Sequence, residues 1–114
     1  MRAIIGFVVN VDGSCTLSGH VVWLTVEQGG RVSGPPPTKC DYAHTAYVPP
    51  HTVDIGLASF VLRGYEPGAW TSRASGRWLD VRNEGVYRIE PGSVVVCTEG
   101  RRSVAYFHVD GVDE

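Results

Sequence analysis

Val94-Val95-Val96-Cys97-Thr98-Glu99-Gly100-Arg101-Arg102-Ser103-Val104-Ala105-Tyr106-Phe107-His108-Val109 reads as two β-branched and aromatic runs joined through Glu-Gly-Arg-Arg. Val94–Thr98 and Ser103–Val109 have strand composition, and Gly100 supplies the positive-φ position that a tight reversal needs. This pair predicts a hairpin. Working outward, the same grammar recurs. Ile55 to Arg63 is apolar on both faces, as a buried strand would be. Asp41 to Val48 alternates imperfectly and ends at Pro49-Pro50, and His20 to Glu27 is closed by Gly29-Gly30. Residues 3–10 form another apolar run, and shorter ones stand at Ala69–Ser72, Trp78–Arg82 and Val86–Ile89. Each is bounded by Gly, Pro, Asn or Asp, and no long stretch free of Gly and Pro repeats apolar residues at helical spacing.

The expected fold is therefore all-β: a small closed or nearly closed antiparallel barrel of six to seven strands. Closure has a physical cause, since an open sheet of so many short strands would leave two edges of unpaired backbone groups. The prolines fall between the runs, where no ladder donor is required. Expected core residues are Val22, Leu24, Ala46, Leu57, Phe60, Leu62, Val95 and Phe107. At 114 residues and with no repeat or linker, the chain makes one domain over 1–114. Residues 1–19 are expected as an additional N-terminal strand and loop, and 110–114 as a frayed acidic tail.

Composition narrows the function. Fourteen Gly and seven Pro suggest many turns, but 43% hydrophobic content argues against disorder. Ten basic residues against twelve acidic ones give a net charge of −2, which argues against nonspecific polyanion binding. No apolar run reaches membrane-spanning length, and the start through Val9 reads as a strand rather than a signal peptide. Cys15, Cys40 and Cys97 are odd in number and widely spaced, so a reducing cytoplasm is expected rather than a disulfide framework.

Two Gly-Arg segments carry a resemblance. Glu27-Gln28-Gly29-Gly30-Arg31, followed by Gly34-Pro35-Pro36, comes directly after one strand, and Glu99-Gly100-Arg101-Arg102-Ser103-Val104 joins two others. Glu66-Pro67-Gly68 and Glu90-Pro91-Gly92 stand between them, each opening a strand. This order, over about residues 20–112, resembles the C-terminal β-barrel domain of elongation factor Tu. In that family the last such turn lies against the T stem of aminoacylated transfer RNA. The resemblance implies an RNA-facing role for Glu99, Gly100 and Arg101, although Arg101 replaces the family's second glycine. No phosphate-cradling Gly-x-x-x-x-Gly-Lys-Ser/Thr exists, and Lys39 is the only lysine, so a guanine nucleotide is not an expected ligand.

Other chemistries find less support. Cys40, His44 and His51 lie within twelve residues but lack the paired ligand spacing of structural zinc, so no metal and no cofactor are expected. Ser14-Cys15 ahead of His20 is not a nucleophile elbow, and Glu66, Glu90 and Glu99 read as turn carboxylates, so no catalytic residue is assigned. Trp70, Arg73, Arg77 and Trp78 interleave arginine with aromatic side chains, as stacking platforms do, and equally read as a hairpin with tryptophans flanking its loop. The leading expectation is a non-catalytic module that engages a protein partner. The alternative is an RNA-binding module using Arg31, Arg101 and Arg102, with Trp70, Arg73 and Arg77 in support; a small enzyme with an unrecognised site ranks last.

Overall fold

A ring of six antiparallel strands forms because each strand buries one face and none is left as an edge. In the computed structural model, residues 16–79 and 89–113 are described. They form β1 (Thr16–Trp23), β2 (Tyr42–Tyr47), β3 (Ala58–Arg63), β4 (Thr71–Trp78), β5 (Val94–Glu99) and β6 (Arg102–Asp113). The strands close into a barrel in the order β1-β4-β3-β2-β5-β6, with β6 returning onto β1. No helix among the described residues is long and apolar enough to cross a membrane. The strand expected over 3–10 and the Cys15 thiol lie outside the described residues, as does most of the runs 78–82 and 86–89.

Leu24, Ala46, Phe60, Leu62, Val95 and Phe107 are buried as expected. Two core expectations fail. In β1 the inward residues are Leu17, Gly19, Val21 and Trp23, so Val22 lies on the outer face. Leu57 precedes β3 and is 37% exposed. A one-residue change of phase moves every side chain of a strand to the other face, and Trp23 decides it in β1 by filling the interior. That strand also begins earlier than its apolar run suggests, because Thr16 and Ser18 occupy outward positions. It ends at Trp23, since Thr25 and Gln28 cap each other around a single 3-10 turn, Val26–Gln28. Residues 16–19 are thus part of the barrel rather than an appended loop. The acidic tail is likewise paired rather than frayed as far as Asp113, with Thr16 facing Asp113 and Leu17 facing Val112.

The segment Trp70–Trp78 is not a hairpin. It enters one continuous strand, β4, whose inward residues are Ala74, Gly76 and Trp78. Small residues read locally as a turn, yet here they make room: a Cβ on Gly76 would stand 2.5 Å from Cζ of the fully buried Phe60. Gly76→Ala is expected to cost about 1–3 kcal/mol in a urea titration, because the ring that must yield is itself packed on all sides. An unchanged midpoint would show that the Phe60 ring has room to move.

Register fixes what lies at each end of the barrel. The β1–β2, β3–β4 and β5–β6 connections all gather at one mouth, since Trp23 faces Ala105, Val22 faces Thr71 and Glu99 faces Arg102. In a ring of this order β1 and β2 stand opposite each other, so the connection over residues 24–41 must cross the mouth. It is tied on one wall by Gly68 N–H to the Pro36 carbonyl (2.8 Å) and by Tyr65 O–H to the Cys40 carbonyl (2.7 Å).

Candidate functional site at the barrel mouth

The first Gly-Gly-Arg is shaped by two different demands. Gly29 ends the 3-10 turn in the left-handed region, at φ 92°, and donates to the Val26 carbonyl. Gly30 has no such backbone, but a Cβ there would stand 2.2 Å from the Leu24 carbonyl oxygen. Together they turn the chain so that Arg31 reaches the far wall. Its Nε donates to Glu99 at 3.1 Å and its Nη1 to the Gly34 carbonyl at 2.7 Å, with the guanidinium 5.7 Å from the centre of the Tyr42 ring. The Tyr42 hydroxyl donates to the same Glu99 oxygen. Two glycine-arginine segments 68 residues apart therefore meet as Arg31 and Glu99, with Tyr42 as the third member.

This group holds rather than reacts. Burial, then the hydrogen bond to Glu99 and its negative charge, push the Tyr42 hydroxyl far above its ordinary pKa, against the opposing pull of Arg31. It stays a neutral donor. At the tip itself, Arg101 donates to Asp54 at 2.7 Å and joins the β5–β6 turn to the β2–β3 connection. The hydrogen bond and charge of Arg101 hold the exposed Asp54 carboxyl below its usual range.

Of the residues expected to form a site, Arg31, Glu99, Gly100, Arg101 and Arg102 come together here. Trp70 lies at the same mouth on the opposite wall, 49% exposed, with the Gly34 backbone beside its ring. Arg73 and Arg77 do not join them. They occupy the outer face of β4, where Arg73 pairs with Asp110 at 2.6 Å and Asp110 also lies 3.7 Å from His20. His20 stacks on His108 with ring centres 5.0 Å apart. Trp78 faces the core, so no arginine–tryptophan platform forms. Cys40, His44 and His51 are on a loop, a strand and a second loop, and among the described residues no group of three His, Cys, Asp or Glu could hold a metal ion.

Sequence reasoning gave no role to Tyr42 or Asp54 and weighed His44 only as a metal ligand. Tyr42 and His44 share the inward face of β2, with ring centres 4.7 Å apart. Because a carbonyl only accepts, His44 Nδ1 carries the proton and donates to the Tyr42 carbonyl at 3.1 Å. Its Nε2 is then a bare lone pair, buried and without a hydrogen-bond partner. Burial pulls the His44 pKa down to about 4, against the raising effects of the Tyr42 carbonyl and the Glu99 charge. The signal for this pair was in the sequence: Ala46, expected in the core and buried, lies two and four residues beyond them on the same face of the strand.

The β2–β5 ladder joins Thr45 to Thr98, Ala46 to Cys97 and Tyr47 to Val96, so Tyr42, Ala43 and His44 lie beyond its last pair. A slot of about 440 Å³ opens there. It is lined by residues of β2, by Ser59 and Leu79, and by Thr98, Glu99 and Gly100 at the end of β5. Compared with protein-family models, with curated proteins and with solved structures, the chain matches none.

Proposed function

We propose that this chain is a non-catalytic interaction module, built on a barrel like the C-terminal barrel of elongation factor Tu, that engages a protein partner at the mouth. One observation carries the choice of partner: Arg31, Arg63, Arg73 and Arg101 each end on a carboxylate, from Glu99, Asp41, Asp110 and Asp54. A guanidinium already neutralised within its own barrel has little to offer a phosphate. Val32, 79% exposed, and Trp70 meanwhile present apolar surface on the loops of that end, and tryptophan is a frequent anchor of protein interfaces.

Salt tests the reading. A partner recovered by affinity capture and then purified is expected to change its affinity by less than about threefold between 50 and 200 mM salt, whereas about six phosphate contacts would weaken it about a thousandfold. Trp70→Ala with Val32→Ser is expected to weaken that complex at least tenfold, and Arg101→Glu with Arg102→Glu to leave it intact. Recovery of RNA whose binding collapses with salt and with the arginine reversals would replace this reading by the RNA-binding one.

A further inference from the structure

The outer wall at the β1–β6 seam carries two histidines side by side. His20 and His108 are partners in the ladder, and Val21, Phe107 and Val109 next to them are buried, so both imidazoles point outward. A Cβ on Gly19 would collide with the His108 carbonyl, so the two strands are pressed together here and hold the bases of both side chains in a fixed relation. The ring centres stand 5.0 Å apart with their planes 15° from parallel, and the His20 side chain is 42% exposed. The Asp110 carboxylate lies 3.7 Å from His20 Nδ1. Arg73, opposite His20 on β4, is held by the same carboxylate at 2.6 Å.

We propose that His20 and His108 form a two-imidazole site for a late first-row transition-metal ion such as Zn²⁺, Ni²⁺ or Cu²⁺. The spacing carries the inference. With metal–nitrogen bonds of about 2.0–2.1 Å, two imidazoles on one tetrahedral ion have ring centres about 5 Å apart, and the ladder imposes that separation. Near-parallel planes are not the bound arrangement, because each lone pair lies in the plane of its own ring. Turning the rings about χ2 brings the lone pairs together. That torsion is broad for histidine, and the ring centre lies close to its axis and hardly moves. Asp110 assists through its charge, favouring the proton on His20 Nδ1 and leaving Nε2 as the ligand, as a carboxylate behind a metal-bound imidazole does. It also offsets the charge of Arg73, which would otherwise repel a cation. Imidazole suits these ions, whereas Mg²⁺ and Ca²⁺ prefer oxygen ligands. Two protein ligands do not make a closed structural centre, so the ion keeps positions for water. The inference goes beyond the interaction-module reading: this site is on the outer wall, and its ion ties β1 to β6 across the seam that closes the barrel.

The test needs no partner. Zn²⁺ is titrated into the intact chain while the imidazole nitrogens are followed by NMR, with Mg²⁺ as the control. Saturable binding that moves the Nε2 resonances of both His20 and His108 is expected. The urea midpoint is expected to rise in Zn²⁺ and in Ni²⁺, since an ion that binds only the closed seam favours the folded chain. His20→Ala and His108→Ala are each expected to weaken binding at least tenfold and to abolish that rise, and urea titrations in EDTA check that both variants fold. Cys40→Ser and His51→Ala, on other connections, are expected to leave binding unchanged. Full affinity in either histidine variant, a shift at only one of the two rings, loss of binding in Cys40→Ser, or equal binding of Mg²⁺ would overturn the proposal.

Discussion

Gly30→Ala is expected to destabilise the domain by about 2–4 kcal/mol, near the upper end of single-substitution effects. The atoms in the way are the Leu24 carbonyl oxygen at 2.2 Å and its carbon at 2.6 Å. Both belong to the backbone, so no rotamer change relieves the overlap. The chain must instead open at the 3-10 turn, giving up the 2.8 Å bond from Gly30 N–H to the Thr25 carbonyl. Arg31 follows directly and would be carried away from Glu99. Gly29→Ala provides the contrast: its Cβ would meet nothing within 4 Å, and only the left-handed backbone resists it, at about 1–2 kcal/mol. Urea titrations of the two variants separate the demands. Equal losses would mean that crowding at Gly30 is relieved elsewhere.

The second large effect is on pH. His44 has a folded pKa of about 4 against an ordinary value of 6.5, and it is mostly buried. Between those values the unfolded chain binds a proton that the folded one refuses, so stability falls as the pH is lowered. The contribution is fully present above about 6.5 and disappears progressively toward 4, amounting to about 3 kcal/mol at 1.36 kcal/mol per pKa unit. Asp54 and Asp110 also have lowered pKa values, but their contributions are lost only below the ordinary carboxylate range. His44→Phe is expected to flatten the dependence between pH 6.5 and 4 while leaving the acid limb below it. A His44→Phe domain whose urea midpoint still falls steeply between pH 6.5 and 5 would remove His44 from this account.

The pattern of strands was legible where side chains alternate against strong turn residues. β5 and β6 follow from residues 94–109, and β3 from the apolar run before Arg63. β4 was not legible, because Ala74, Ser75 and Gly76 have turn composition and their place in a strand is set by the volume of Phe60 across the interior. The site was half legible for a similar reason. Local sequence marks Gly29-Gly30-Arg31 and Glu99-Gly100-Arg101 as turns, but their meeting depends on β1 standing opposite β2, a property of the closed ring. Tyr42, which completes the group, shares the inward face of Ala46, but nothing local shows that its hydroxyl meets Glu99.

That closure also governs how the protein is made. The seam between β1 and β6 joins Thr16 to Asp113, nearly the whole described chain apart, and β1 must additionally find β4 across about fifty residues. Loops of that length cost entropy before any ladder bond forms, which places such barrels among the slow folders, at milliseconds to seconds. The β5–β6 hairpin can form early from its own sequence, and Glu99 with it. Arg31 meets Glu99 only where the connection from β1 lies over the mouth, so the ion pair needs that connection in place as well as the hairpin. A barrel whose β1–β6 seam was open would leave the connection from β1 unanchored and the Arg31–Glu99 pair unformed.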